Sequence, residues 1–189
     1  APFETAPLNT LSKGKGQTDL ISVYTSSAFG ITNQLSINAG LNSQILTLNN
    51  SWTLEPRLGM KWTPTARTSL ALAYGLHSRM EKMDVYFVNS KSSGKESVNK
   101  DLDFTKAHHL MLTLGYKLSD NLLLKVEPYV QFLYDVPVIA DSSYSVLNRR
   151  EFYVEEALVN KGKGRNIGVD ITLEKYLSRG LYYLITASV

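Results

Sequence analysis

The chain has 189 residues, 43% of them hydrophobic and 20% charged, with a formal net charge of +3. Its 20 Lys and Arg are scattered among 17 acids, which leaves no basic footprint for nucleic acid, and the absence of cysteine excludes disulfides and Cys-ligated zinc. No run of about 18 apolar residues exists to make a membrane-spanning helix, but a β-barrel needs only every second residue apolar and stays open.

In chain order, residues 1–16 are polar, contain Pro2, Pro7, Gly14 and Gly16, and read as a loop with no visible export signal. A weak strand is predicted at about 17–28. A second follows, where Leu35, Ile37, Ala39 and Leu41 alternate with Ser36, Asn38, Gly40 and Asn42. The third is the clearest. Trp52, Leu54, Pro56, Leu58, Met60 and Trp62 fall on one face, and Thr53, Glu55, Arg57, Gly59 and Lys61 on the other. On a helix these charges would spread around the circumference, whereas on a strand successive side chains point to opposite faces and the segregation is complete.

The fourth strand sets Leu70, Leu72, Tyr74 and Leu76 against Ala71, Ala73, Gly75 and His77, and the fifth sets Leu110, Leu112, Leu114, Tyr116 and Leu118 against His109, Met111, Thr113, Gly115 and Lys117. In the sixth, Leu122, Leu124, Val126, Pro128, Val130, Phe132 and Tyr134 oppose Lys125, Glu127 and Gln131. The seventh places Ile167, Val169, Ile171 and Leu173 opposite Gly168, Asp170, Thr172 and Glu174, and an eighth runs over about 181–189. The fold class is all-β, an antiparallel up-and-down meander of about eight long strands with no helix. Short polar turns at 30–34, 64–67, 119–121 and 178–180 sit at one end, and long connections at about 78–106 and 139–164 at the other, as in outer-membrane barrels. The short link at 47–51 breaks that asymmetry. Pro56 and Pro128 lie inside strands, so each should bring a bulge or a lost ladder bond.

Alternation does not say which face is wet. Three features favour lipid against the apolar side. The strands are about 10 to 14 residues long where soluble ones average about 5 to 6. The polar face mixes both charge signs with Gly and Asn. Trp52 and Trp62, ten residues apart, are separated by about 33 Å of strand and, at a tilt of about 40°, by about 25 Å of height, the spacing of the aromatic girdles. Tyr116 and Tyr134 join them as an aromatic belt. Two core tryptophans in a soluble sandwich are the competing reading.

The stretches "SWTLEPRLGMKWTPTARTSLALAYGLHSRMEKMDVYF" (51–87), "LLLKVEPYVQFLYDVPV" (122–138) and "LVNKGKGRNIGVDITLEKYLSRGLYYLITASV" (158–189) resemble the barrel region of TonB-dependent receptors of the Bacteroidetes type, which carry a carboxypeptidase-regulatory-like domain ahead of the plug. The resemblance implies part of a 22-stranded outer-membrane barrel around a plug domain, importing a bulky ligand with energy from a TonB complex, and no enzymatic activity or cofactor. The expected unit is residues 1–189 as a partial barrel from the C-terminal half, with 1–16 an extracellular loop. No plug, TonB box or terminal aromatic is seen in it. Its partners would be outer-membrane lipid and lipopolysaccharide, the plug and TonB through the rest of a longer chain, and the unknown ligand; the fragment could self-associate.

Within that frame the polar faces of Glu55, Arg57, Lys125, Glu127 and Asp170 read as a lumen wall touching plug or ligand, with Glu174 beside Asp170, rather than as a carboxylate acid/base pair. His77 and His109 share a polar face near the long-loop end and are candidates for a lumenal ligand or metal contact. The alternative is that His108 and His109 are two solvated rim histidines. "NKGKGRN" (160–166) lacks the Gly-Lys-Ser/Thr ending of a phosphate loop and reads as a loop turning into a strand, with possible lipopolysaccharide contacts. Tyr86, Phe87, Tyr129, Tyr144, Phe152 and Tyr153 are candidates for stacking on a ligand. Other readings left open are a self-contained eight-stranded anchor or adhesin barrel and a soluble ligand-binding barrel. An outer-membrane lipase or acyltransferase lacks a Ser/His constellation.

Overall fold

The alternation is realised as a single antiparallel sheet in the order β1 (Leu20–Gly30), β2 (Leu35–Leu46), β3 (Ser51–Trp62), β4 (Thr68–Arg79), β5 (Thr105–Ser119), β6 (Leu122–Ile139), β7 (Leu158–Ser178) and β8 (Leu181–Ser188), each strand bonded to its neighbours in sequence. The structure is a computed structural model that describes residues 15–89, 98–140, 142, 144–148 and 156–189. The expectations for residues 1–14 and for Phe152 and Tyr153 lie outside the described residues.

All eight predicted strands are present, but three are longer than their patterns suggested. β5, β6 and β7 have 15, 18 and 21 residues. The run 160–166 is therefore strand and not a loop: Asn160 pairs with Pro137, Gly162 with Val136 and Gly164 with Leu133. Its lysines and glycines hid the alternation from a hydropathy reading, because a strand that rises past the apolar zone needs no apolar face. Two register shifts on β6, at 133–136 and 136–137, accompany the change, and Asp135 sits there with φ of 54°. At the other end Arg179 and Gly180 both have positive φ, 52° and 78°, as a two-residue type I′ hairpin demands.

The tryptophans settle which face is covered. Trp52 is 64% exposed and Trp62 44%, with Leu54 and Leu58 between them also exposed, while Thr53 and Glu55 on the opposite face are buried. Exposed apolar side chains recur on that same side of the sheet from Val23 on β1 to Ile185 on β8, while β1 is exposed on both faces.

What apolar core exists lies at the long-loop end. The fold is all-β as expected, with short helical turns in its loops: the β4–β5 connection forms one turn of helix, α1 (Met83–Tyr86), and a 3-10 turn spans Val146–Asn148. Val85, Tyr86 and Phe87 pack with Leu102 and Phe104 against Leu46 of β2 and Leu158 of β7. Burial pushes the Tyr86 phenol above its ordinary pKa, and its oxygen accepts the Glu81 backbone N–H at 3.2 Å.

Three asparagines tie the backbone around this cluster. Asn99 donates to the carbonyls of Val85 and Glu156 and accepts from the Leu158 N–H. Asn160 donates to the carbonyls of Asp103 and Asp135 and accepts from the Asp103 N–H. Asn49 donates to Lys100 and Leu102. Irregular backbone needs such partners wherever it is shielded from water. Phe104→Ala should cost about 3 to 5 kcal/mol at this cluster. The expected readout is faster hydrogen exchange over 83–88 and 98–104 with unchanged protection in β2–β3; uniform loosening of the sheet would count against a separate cluster.

Candidate functional site

The concave face is polar because every second residue is, and the strand register decides which of these groups meet. Glu55 is the most enclosed, at 1% exposure. Its Oε1 accepts from Gln44 at 2.7 Å and from the Ser78 backbone N–H at 3.2 Å, and Oε2 accepts from Asn42 at 3.0 Å and Arg57 at 3.1 Å. The Ser78 hydroxyl also donates to Oε1. The cause is next to it in sequence. Pro56 has no N–H, and the β3–β4 ladder runs from Trp62↔Leu70 only as far as Arg57↔Gly75. Beyond that point the Glu55 carboxylate takes up the Ser78 N–H that lacks a β3 partner.

Glu127-Pro128 repeats the device. On the β5 side the ladder lacks the two pairs between Met111↔Tyr129 and Leu114↔Val126, and Thr113 Oγ1 donates to Glu127 at 2.9 Å. On the β7 side Pro128 pairs with Val169 without interruption. Both prolines thus cost ladder bonds on one side, and neither makes a bulge. Asp170 lies directly opposite Glu127, and Lys125 reaches Glu174 at 3.6 Å. Two carboxylates facing each other across a pair, with a cation one row away, make a hydrophilic wall.

At mid-height one row crosses six strands: Gly40, Arg57, Gly75, His109, Gln131 and Asn166 are successive register partners. Asn166 donates to Gln131 Oε1 at 2.6 Å, and the Gln131 amide nitrogen lies 2.8 Å from His109 Nε2. His77 stands edge-on to His109 with ring centroids 4.8 Å apart, on the polar face that the alternation assigns to both. Gly40, Gly59, Ala73 and Gly75 floor a groove of about 970 Å³, walled by Tyr24, Arg57, His77, His109, Met111 and Tyr129. Among the described residues no three His, Asp or Glu side chains gather as a metal site.

His108 and His109 do not work as a pair. Neighbours on a strand point oppositely, and His108 turns to the outer face, where its Nδ1 is 2.9 Å from the Tyr74 hydroxyl and its ring stacks on Tyr134 at 5.3 Å. Tyr116 is exposed on that same face near the short turns, while Tyr134 is half-buried by its stack. Of the proposed stacking aromatics, Tyr129 lines the groove and Tyr144 is exposed, but Tyr86 and Phe87 are corrected: they are core, because α1 folds them inward. Sequence reasoning missed Ser78, Thr113, Asn42 and Gln44 as partners of the glutamates; the Glu-Pro dipeptides were the available signal.

No family model matches the sequence, and no curated protein matches it. Solved structures do, at low identity. A mutant of the ferric enterobactin receptor PfeA from Pseudomonas aeruginosa superposes with a TM-score of 0.67 and 14% identity, over 90% of this chain and 26% of that one. The FrpB iron transporter from Neisseria meningitidis gives 0.59 and 13%, over 85% and 24%. The ferric-catecholate import receptor Fiu from E. coli K12 gives 0.59 and 13%, over 90% and 28%. The chain spans about a quarter of the length of these structures. What the chain shares with these receptors and this transporter is the fold.

Glu55→Ala should destabilise the sheet by about 3 kcal/mol, because six donors, Thr53 Oγ1 at 3.4 Å among them, lose a buried acceptor. Urea titration in detergent micelles followed by tryptophan fluorescence checks this. Glu127→Ala, with one donor lost, should cost about 1 kcal/mol, and equal losses would contradict the difference in enclosure.

Proposed function

We propose that this chain is a wall segment of a TonB-dependent outer-membrane transporter of the Bacteroidetes type, with no enzymatic activity and no independent activity of its own. The observation that carries the reading is the exposed apolar face between Trp52 and Trp62, set back to back with a concave face of charged and amide side chains. That arrangement suits hydrocarbon outside and a wet lumen inside.

In the whole transporter the segment would be part of 22 strands in the outer membrane, with 1–16 an extracellular loop. Glu55, Arg57, Lys125, Glu127 and Asp170 would face a plug domain, and His77 and His109 the ligand or the plug. Outer-membrane lipid and lipopolysaccharide would lie against the belt of Trp52, Trp62, Tyr116 and Tyr134, and a TonB complex would supply the energy for a bulky ligand. The neighbours named for ferric enterobactin and ferric catecholate make ferric chelates the first ligands to test. A self-contained anchor barrel would pair β1 with β8, whereas among the described residues β1 pairs with β2 and β8 with β7.

Two measurements test the reading. Tryptophan emission of the chain in vesicles should be quenched by brominated acyl chains, and quenching that is absent while a soluble monomer forms would end the membrane reading. Cells expressing the gene that encodes this chain should take up iron-55 presented as a ferric catecholate, and an uncoupler should abolish uptake. Uptake that persists without the proton-motive force would rule out TonB coupling.

A further inference from the structure

The concave face carries a further, smaller hollow at the short-turn end. It has a volume of about 460 Å³ and takes its charge from Lys61 of β3, Arg67 of the β3–β4 turn and Lys117 of β5. Register explains their meeting. Below the pair Thr68↔Tyr116, the Lys117 N–H donates to the Arg67 carbonyl at 2.8 Å, which sets the two cations side by side on adjacent strands. Lys61 pairs with Ala71 and Ala71 with Thr113, so Lys61 stands on the same face at the level four residues above Lys117 and lines the hollow from there.

Like charges directly opposite each other in a sheet are destabilising, and an anion held between them reverses the sign. The wall itself supplies no such anion. All three cations are exposed, and among the described residues none makes an ion pair and no acid lines the hollow. Across the sheet Lys117 faces Leu123 and Leu123 faces Glu174, but Glu174 is held by Lys125 at 3.6 Å. Hydroxyls complete the wall. Thr65 Oγ1 accepts the N–H groups of Arg67 and Thr68 at 3.2 and 3.0 Å, which leaves its own hydrogen to donate. A Cβ on Gly115 would collide with the Ser69 hydroxyl, so the glycine gives that hydroxyl its place beside the hollow.

We propose that Lys61, Arg67 and Lys117 bind a small multivalent oxyanion, a polycarboxylate or a phosphate compound, on the concave face at the short-turn end. A guanidinium presents two parallel N–H donors to either group, and an ammonium beside it adds charge without demanding a fixed geometry. The volume falls within the range of about 300 to 1,000 Å³ common to small-molecule sites. The site is independent of what covers the convex face. None of its three cations belongs to the row of Arg57, His109, Gln131 and Asn166 higher on the wall.

Isothermal titration calorimetry of the chain in uncharged maltoside micelles tests it, with citrate, pyrophosphate and acetate as probes at one ionic strength. Citrate or pyrophosphate should bind about tenfold more tightly than acetate, the factor that one added charge-assisted hydrogen bond supplies. The tighter of the two assigns the site to carboxylate or to phosphate. Lys117→Gln and Arg67→Gln should each weaken that binding about tenfold. Arg179→Asn, which removes a cation from the β7–β8 turn at the same end, should leave it unchanged. Without ligand, both glutamine variants should unfold at or above the native Tm, because each relieves the Arg67–Lys117 repulsion, and this separates loss of the site from loss of the fold. Acetate bound as well as the multivalent anions, full affinity in Lys117→Gln, or an equal loss in Arg179→Asn would overturn the proposal. So would a triglutamate peptide bound more tightly than either small anion, since that gives the hollow to a protein segment.

Discussion

Hydrocarbon offers no hydrogen bonds, so a chain that crosses it in strands must satisfy nearly every backbone N–H and C=O within the sheet. On the proposed membrane reading, most features of this molecule follow from that constraint. The ladders join all eight strands, and two of the places where a proline denies them a donor, Pro56 and Pro128, are handled in the same way. At Pro56 and at Pro128 the preceding residue is a glutamate, and a hydroxyl from the adjacent strand, Ser78 or Thr113, bonds to its carboxylate. At Ser78 the carboxylate also accepts the stranded backbone N–H. The glutamates that look like chemistry in the sequence are part of the backbone accounting.

The same constraint explains why the ends differ. At the short-turn end connections of two to five residues suffice, and a single Arg179–Gly180 pair with positive φ closes the last hairpin. At the long-loop end the chain leaves the sheet and must satisfy its own backbone. It does so with a small core of Tyr86, Phe104, Leu46 and Leu158 and with asparagine side chains that donate and accept at once. Asparagine suits this because its short amide offers both a donor and an acceptor within reach of neighbouring backbone.

Across the sheet, charge and aromatic groups are sorted by face and by height. The concave side carries the row of Arg57, His109, Gln131 and Asn166 over a floor of glycine and alanine, which leaves a groove where larger side chains would fill it. The convex side is mainly aliphatic through its middle, apart from the Tyr74–His108 pair, and turns aromatic or cationic at its edges, with Trp62 and Tyr116 below and Trp52, Tyr134 and Arg165 above. Similarity to receptor barrels agrees with this sorting, and it rests on shape, since only 13 to 14% of residues are shared with them.

The sequence by itself determined the strand count, the meander order and the division of residues between two faces, because a period of two is local and survives any tertiary arrangement. It also set Trp52 and Trp62 a girdle spacing apart and flagged Pro56 and Pro128. Tertiary structure alone decided that the apolar face is the uncovered one, since alternation is symmetric between inside and outside. It decided that 160–166 is strand, because pairing with β6 and not hydropathy holds it there. It joined His109 to Gln131 and Asn166 and sent His108 to the opposite face. These partners lie 22 and 35 residues apart in sequence, and only the register of antiparallel neighbours, a long-range property, brings them together.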